Sequence, residues 1–266
     1  MSNIIPKKSL GQHWLHDEPT LAAICDAADV QSGDTVLEVG PGLGTLTRQL
    51  LARGARVTAV EFDEALAAQL SQNVLKDSPP DSDLTVVQQD ILRFDLTQLP
   101  AGYKVVANIP YYLTSNLIRV LTESANPFSA AAVLIQKEVA ERVVASPGAM
   151  SILSVSAQYY CEVSLGVKVP ARLFTPPPKV DSQVLVLKRR EQPLFAGVDT
   201  RAFFRLVKAG FSQKRKTLVN SLSGGLAISK DEARKMLGTA DIPENSRAQA
   251  LSLDDWYALY EVFTQH

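Results

Sequence analysis

The chain has 266 residues, enough for one large domain or two. Its 27 Lys and Arg offset 28 Asp and Glu, and the net charge of −1 excludes a general polycation and confines any nucleic-acid site to a local patch. A composition of 46% hydrophobic and 21% charged residues excludes a mostly disordered chain, and two distant cysteines, Cys25 and Cys161, supply neither a disulfide framework nor a metal site and fit a reducing, cytoplasmic compartment.

Residues 1–17 carry Lys7 and Lys8 with no apolar run behind them, which argues against a signal peptide. They are expected to form a mobile lead segment. From there, apolar runs of strand length alternate with helical stretches. Thr20–Asp29 reads as a helix, Thr35–Val39 as a buried strand and Thr45–Arg53 as a helix. Arg56–Val60 is a second strand, Glu64–Lys76 a helix, Leu84–Gln88 a third strand and Lys104–Ala107 a fourth. Thr114–Glu123 is helical, Ala131–Gln136 is a fifth strand, and Glu138–Ala145 and Ile152–Tyr160 are helical. Val163–Val169 and Gln183–Lys188 are late strands with no helix between them, which predicts an antiparallel hairpin at one edge of a parallel sheet covered on both faces. The longest clean apolar run, residues 130–135, is too short to cross a bilayer, so no membrane association is expected.

After Glu191-Gln192-Pro193 the pattern changes. Arg201–Phe211, Lys214–Leu222, Lys230–Leu237 and Leu253–Phe263 are all helical, with no strand between them. The reading is two domains, residues 1–192 and residues 193–266. Charge follows the same division. Residues 61–100 hold eight acids and two bases, whereas residues 201–220 hold six bases and no acid. These six, Arg201, Arg205, Lys208, Lys214, Arg215 and Lys216, find no ion-pair partner within their own run and suit phosphate contact, with Lys7, Lys8 and the Lys188-Arg189-Arg190 run as additions.

Gly40-Pro41-Gly42-Leu43-Gly44 follows the first strand and opens a helix, a turn that lets the backbone approach a ligand closely. The spacing is G-x-G-x-G, which does not suit a nicotinamide dinucleotide. Glu61 ends the second strand about 20 residues on, where a carboxylate accepts hydrogen bonds from ribose hydroxyls. Asp90 follows the third strand, where a carboxylate can accept from an exocyclic amine. A glycine loop and two acids at successive strand ends describe an adenosine pocket at the carboxyl edge of the sheet.

The fourth strand runs into Asn108-Ile109-Pro110-Tyr111. An adenine amino nitrogen is a poor nucleophile because its lone pair is delocalised into the ring. An Asn oxygen and a main-chain carbonyl before Pro110 are two acceptors able to hold both N–H groups of such an amine, and an aromatic ring after them can stack on the base. No residue here is a strong general base, so chemistry at this site rests on positioning and electrostatics.

Four segments together carry a family resemblance. Asn108–Tyr111 and Glu38–Gly44 resemble the ribosomal RNA adenine N6-dimethyltransferases, as do the opening Lys7–Leu15 and the later Phe174–Ser182. The resemblance spans residues 7–182, and the basic helical tail matches the small C-terminal domain of that family. It implies a Rossmann-like, seven-stranded class I methyltransferase sheet with a small all-helical C-terminal domain. S-adenosylmethionine is the implied methyl donor, and no metal is implied. His13 and Leu15 then help cover the donor, Gly40 and Gly42 lie against its methionine end, Glu61 holds the ribose and Asp90 the donor's adenine amine. The commoner family residue at position 13 is Asn. Asn108 serves both donor and target amine, Pro110 shapes the tetrapeptide, and Tyr111 and Phe174 sandwich a flipped target adenine. The implied substrate is a pair of adjacent adenines in a hairpin loop near the 3′ end of small-subunit ribosomal RNA, in the RNA or an immature subunit, each receiving two methyl groups. A monomer is expected. Two rival readings keep the same fold: a non-catalytic assembly or transcription factor binding RNA or DNA, and a methyltransferase of large-subunit RNA.

Overall fold

A computed structural model describes residues 6, 7 and 10–265. The chain divides into two compact units, 1–141 with 161–189 and 142–160 with 190–266.

The first unit is built on a seven-stranded sheet in the order β4-β3-β2-β5-β6-β9-β7. Here β2 is Thr35–Val39, β3 Arg56–Glu61, β4 Leu84–Gln88, β5 Lys104–Asn108, β6 Ala130–Gln136, β7 Cys161–Val169 and β9 Ser182–Arg189. The strands from β4 to β6 are parallel, and β9 pairs antiparallel with both β6 and β7. Central strands such as Ala130–Gln136 read as nearly unbroken apolar runs because both faces are covered. Helices α1 (Glu18–Ala27), α2 (Thr45–Ala52), α3 (Glu64–Leu75) and α4 (Thr114–Glu123) alternate with the strands, and α5 (Lys137–Val143) follows β6. The start of α1 is fixed by Asp17, whose carboxylate accepts from the Thr20 amide at 3.0 Å. Leu21, Ile24 and Cys25 of α1, Leu46 and Leu50 of α2, and Val36, Val57 and Val106 of the sheet share one core.

The strand order positions the site. The chain goes from β2 outward to β3 and later returns to the other side of β2 as β5, so the carboxyl ends of β3, β2 and β5 are neighbours, with a crevice where the order reverses. A separate two-stranded ribbon, which sequence periodicity did not predict, pairs β1 (Trp14–Leu15) antiparallel with β8 (Phe174–Thr175).

The second unit holds α6 (Ile152–Tyr160), α7 (Thr200–Phe211), α8 (Leu218–Leu226), α9 (Lys230–Thr239) and α10 (Leu253–Thr264). Its core is aromatic: Tyr159 lies 5.1 Å from Phe203 and 5.6 Å from Phe204, ring centre to ring centre, and Trp256 is fully buried. A side chain at Gly210 would come within 2.4 Å of the Trp256 ring, so glycine there is a packing requirement. Two expectations are corrected. Residues 142–160 pack with the helices that follow residue 190 rather than with the first 192 residues, because the rings of α6 are the natural cover for α7. Lys214–Lys216 lie in a turn rather than a helix, because extended Thr217 (φ −69°, ψ 159°) starts α8 only at Leu218. Among the described residues, no helix is long and apolar enough to cross a membrane.

Candidate functional site

At the carboxyl ends of β3, β2 and β5, where ligands of open α/β sheets bind, lies a cavity that opens to solvent. The loop after β2 forms its floor. Gly40, Gly42 and Gly44 all have positive φ, of 68°, 57° and 78°. A Cβ at Gly44 would meet Val74 at 2.3 Å and Leu70 at 2.9 Å, so this loop is seated directly on α3.

Glu61 is 7% exposed and braces the loop. Its carboxylate accepts from the Gly42 amide at 3.1 Å and from the Asp63 amide at 2.9 Å. Burial pushes this carboxyl up from its ordinary pKa, against the two amides. One strand away, Glu38 is 1% exposed, contributes to the same wall, and has no hydrogen-bond partner at either carboxyl oxygen. Burial pushes it up to about 8; the Thr47 hydroxyl lies beside it without bonding geometry, and Glu61 adds like charge.

A strap of residues 10–15 crosses the cavity. Gly42 lies under the Trp14 indole, where an added Cβ would be 3.3 Å away. The Leu15 carbonyl accepts from the Thr45 hydroxyl at 2.9 Å. Asp63 anchors the near end of the strap by accepting from the Lys7 ammonium at 2.9 Å and the Gln12 amide at 3.2 Å. Burial raises the Asp63 carboxyl, but Lys7, Gln12 and the Ala65 amide outweigh it and hold the group below the ordinary range.

The strap also touches the Asn108–Tyr111 tetrapeptide. The Asn108 amide donates to the His13 carbonyl at 3.3 Å. The His13 ring lies 6.0 Å from the Tyr111 ring at 24°, and its Nδ1 donates to the Pro176 carbonyl at 2.7 Å. The Tyr111 hydroxyl is 2.9 Å from that of buried Ser182, and burial raises its pKa.

The structure therefore brings together His13, Leu15, Gly40, Gly42, Glu61, Asn108, Pro110, Tyr111 and Phe174, all on the wall of one cavity. Phe174 and Leu15 are 3% and 1% exposed and pair across the β1–β8 ribbon, so each backs the wall rather than projecting from it. Asp90 is not among the residues that line this cavity. It follows β4, one strand further out, and its carboxylate caps the turn at Ile91–Arg93 by accepting from the Leu92 amide at 3.0 Å. Lys7 reaches Asp63 instead of standing apart as a cation, and Lys8 lies outside the described residues. Arg201, Arg205 and Lys208 project from one exposed face of α7, opposite Phe203, Leu206 and Val207, and Lys214, Arg215 and Lys216 are exposed in the turn that follows. Sequence reasoning missed Phe62, a 57% exposed ring on the rim beside Glu61, and it missed Glu38. An apolar ring directly after a strand-end acid was the available signal for Phe62.

Residues 5–265 match the family model described as ribosomal RNA adenine dimethylase. The chain is 39% identical over 263 residues to a ribosomal RNA small subunit methyltransferase A of Dehalococcoides mccartyi, covering 98% of this chain and 89% of that protein. Among solved structures it resembles a dimethyladenosine transferase from Plasmodium falciparum, with 27% identity, a TM-score of 0.80, and coverage of 95% of this chain and 98% of that one. It also resembles the 23S rRNA methyltransferase ErmE, with 30% identity, a TM-score of 0.74, and coverage of 95% and 100%. The sheet order and these neighbours give the Rossmann-like methyltransferase fold that the sequence motifs led one to expect.

Proposed function

Because the chain belongs to the ribosomal RNA adenine dimethylase family, we propose that it transfers methyl groups from S-adenosylmethionine to the N6 amines of two adjacent adenines in a hairpin loop near the 3′ end of small-subunit ribosomal RNA. The observation that carries this reading is the tethered Asn108. With its amide nitrogen committed to the His13 carbonyl, its side-chain oxygen is the remaining acceptor, on the same wall as Tyr111. An acceptor held there by a second strand of chain can orient an amine without rearranging.

The cavity suits the donor. It offers a floor of glycines with positive φ, a strand-end carboxylate suited to accept from ribose hydroxyls and an orphaned buried acid at the wall. When bound, S-adenosylmethionine supplies a methyl group already activated by its sulfonium, so the protein need not generate a strong nucleophile. Gly40, Gly42 and Glu61 hold the donor, and Trp14 and His13 roof it. Asn108 accepts from the target amine, Tyr111 stacks on the base, and Pro110 presents the tetrapeptide. The hairpin-loop base is already partly unstacked, which lowers the cost of extruding it. The bases of α7 and the Lys214–Lys216 turn contact phosphates and fix position rather than sequence.

The similarity to ErmE supports a second reading, methylation of a large-subunit adenine. One experiment separates them: methyl transfer from labelled S-adenosylmethionine to each ribosomal subunit and to naked RNA, followed by mass spectrometry of the nucleosides. We expect N6,N6-dimethyladenosine at two neighbouring adenines of small-subunit RNA, and none after Asn108→Ala in a folded protein. Modification of large-subunit RNA alone supports the second reading. Absence of transfer to every substrate overturns both and favours a binding-only role.

A further inference from the structure

Glu38 is a buried acid that the proposed chemistry leaves idle. It sits in the middle of the sheet, opposite Ala59 on β3 and Val106 on β5, with α1 and α2 covering its side. The polar groups acting on it are the Thr47 hydroxyl of α2, the Glu61 carboxyl of β3 and the Cys25 thiol of α1, and none is a cation. Thr47 is itself buried and unpartnered. A carboxylate without hydrogen bonds in such surroundings is costly, so the group rests as the neutral acid. Yet it belongs to the wall of the donor cavity, beside Gly40 and Glu61.

We propose that Glu38 is the counter-charge to the methyl donor: it ionises as the donor binds, and it thereby distinguishes the donor from its demethylated product. The inference rests on the donor-site reading above. Its chemical basis is a difference of one charge. S-adenosylmethionine carries a sulfonium, whereas S-adenosylhomocysteine carries a neutral thioether and is otherwise the same molecule. A positive group entering a low-dielectric wall stabilises a carboxylate there, and the acid gives its proton to water. When the methyl group passes to N6, the carbon–sulfur bond breaks and its electron pair stays on sulfur. The amine loses one proton to water, and Glu38, its counter-charge gone, takes one up. Glu38 thus favours the donor entering and the product leaving.

The test is calorimetric and uses the whole protein. Each compound is titrated at pH 6.5 in phosphate and in imidazole, whose different ionisation enthalpies reveal protons released on binding. Free α-amino groups titrate near 8, so the ligand amines contribute little at this pH. His13 and Glu61 also line the cavity, so the comparison with Glu38→Gln is what assigns the difference to Glu38. We expect release of about one proton more with the donor than with the product, and a donor-to-product affinity ratio that rises by up to about tenfold per pH unit between pH 6 and 7. Glu38→Gln, which has the shape of the neutral acid, should abolish both effects. Equal proton release with the two ligands in the unsubstituted protein overturns the proposal, as does an unchanged difference in Glu38→Gln. Failure of both compounds to bind overturns the donor-site reading along with it.

Discussion

Replacing Glu38 by Gln should stabilise the protein, increasingly so as pH rises. In the folded chain the acid keeps its proton up to a pH of about 8, against a reference value of 4.5. Between those values the unfolded chain has released a proton that the folded chain retains, so stability falls as pH rises, by about 1.4 kcal/mol per unit. Glu38→Gln removes the titration and leaves the same shape. The stability gap between variant and parent should be below about 1 kcal/mol at pH 5 and grow by about 3 kcal/mol by pH 7. Urea unfolding at pH 5, 6 and 7 reads this directly. With a slope of about 1–3 kcal/mol per molar, 3 kcal/mol moves the midpoint by about 1–3 M. A gap that does not change with pH means that Glu38 is ionised throughout, and the account of an uncompensated buried acid fails.

Gly44→Ala should cost about 2–5 kcal/mol in denaturant unfolding, from about 1–2 kcal/mol of left-handed strain and about 1–3 kcal/mol of overpacking against Val74 and Leu70. A loss below about 1 kcal/mol would show that the loop is not seated on α3. Tyr111→Phe keeps the ring and loses the Ser182 contact, worth about 0.5–1.5 kcal/mol, so single-turnover methylation should slow by less than about tenfold. Tyr111→Ala also loses base stacking of about 1–3 kcal/mol and should slow it about 5- to 150-fold more. Equal damage from both variants makes the hydroxyl, not the ring, the important part. Replacing Lys214, Arg215 and Lys216 together by Ala should leave stability unchanged. It should reduce the slope of log affinity against log salt by about 0.7–0.9 per lost phosphate contact, whatever the RNA sequence. An unchanged slope returns these residues to ordinary solvated surface.

Much of the site was legible because its parts are local. An apolar run ending in Gly40, and another ending in Asn108-Ile109-Pro110-Tyr111, each declare a strand and the turn that follows. What escaped was long-range or too short to carry a period. The β1–β8 ribbon has two residues per strand, so no alternation exists to detect, and His13 meets Pro176 across 163 positions. Asp90 stands at the end of β4, beside the β3 strand that carries Glu61, a neighbourhood set by sheet order that spacing along the chain does not encode. Tyr159 and Tyr160 read as an ordinary helix end, whereas their burial is decided by rings more than 40 residues later. Glu38 looked like part of a loop motif because burial, not identity, makes it unusual.

The insertion of β9 between β6 and β7 bears on how the chain must be made. Until Ser182–Arg189 has been synthesised, the outer edge of β6 has no partner on that side, and its residues 131–135 form one of the most apolar strands in the sheet. Ser182 follows the end of β6 by about 46 residues, which is about 2–9 s of translation at about 5–20 residues per second. During that interval the nascent chain presents an unpaired apolar edge, the kind of surface on which chains associate. The same delay applies to Phe174, so the back wall of the cavity is among the last parts of the first unit to close, and a truncated product ending before it carries a glycine loop and a tetrapeptide but no finished pocket.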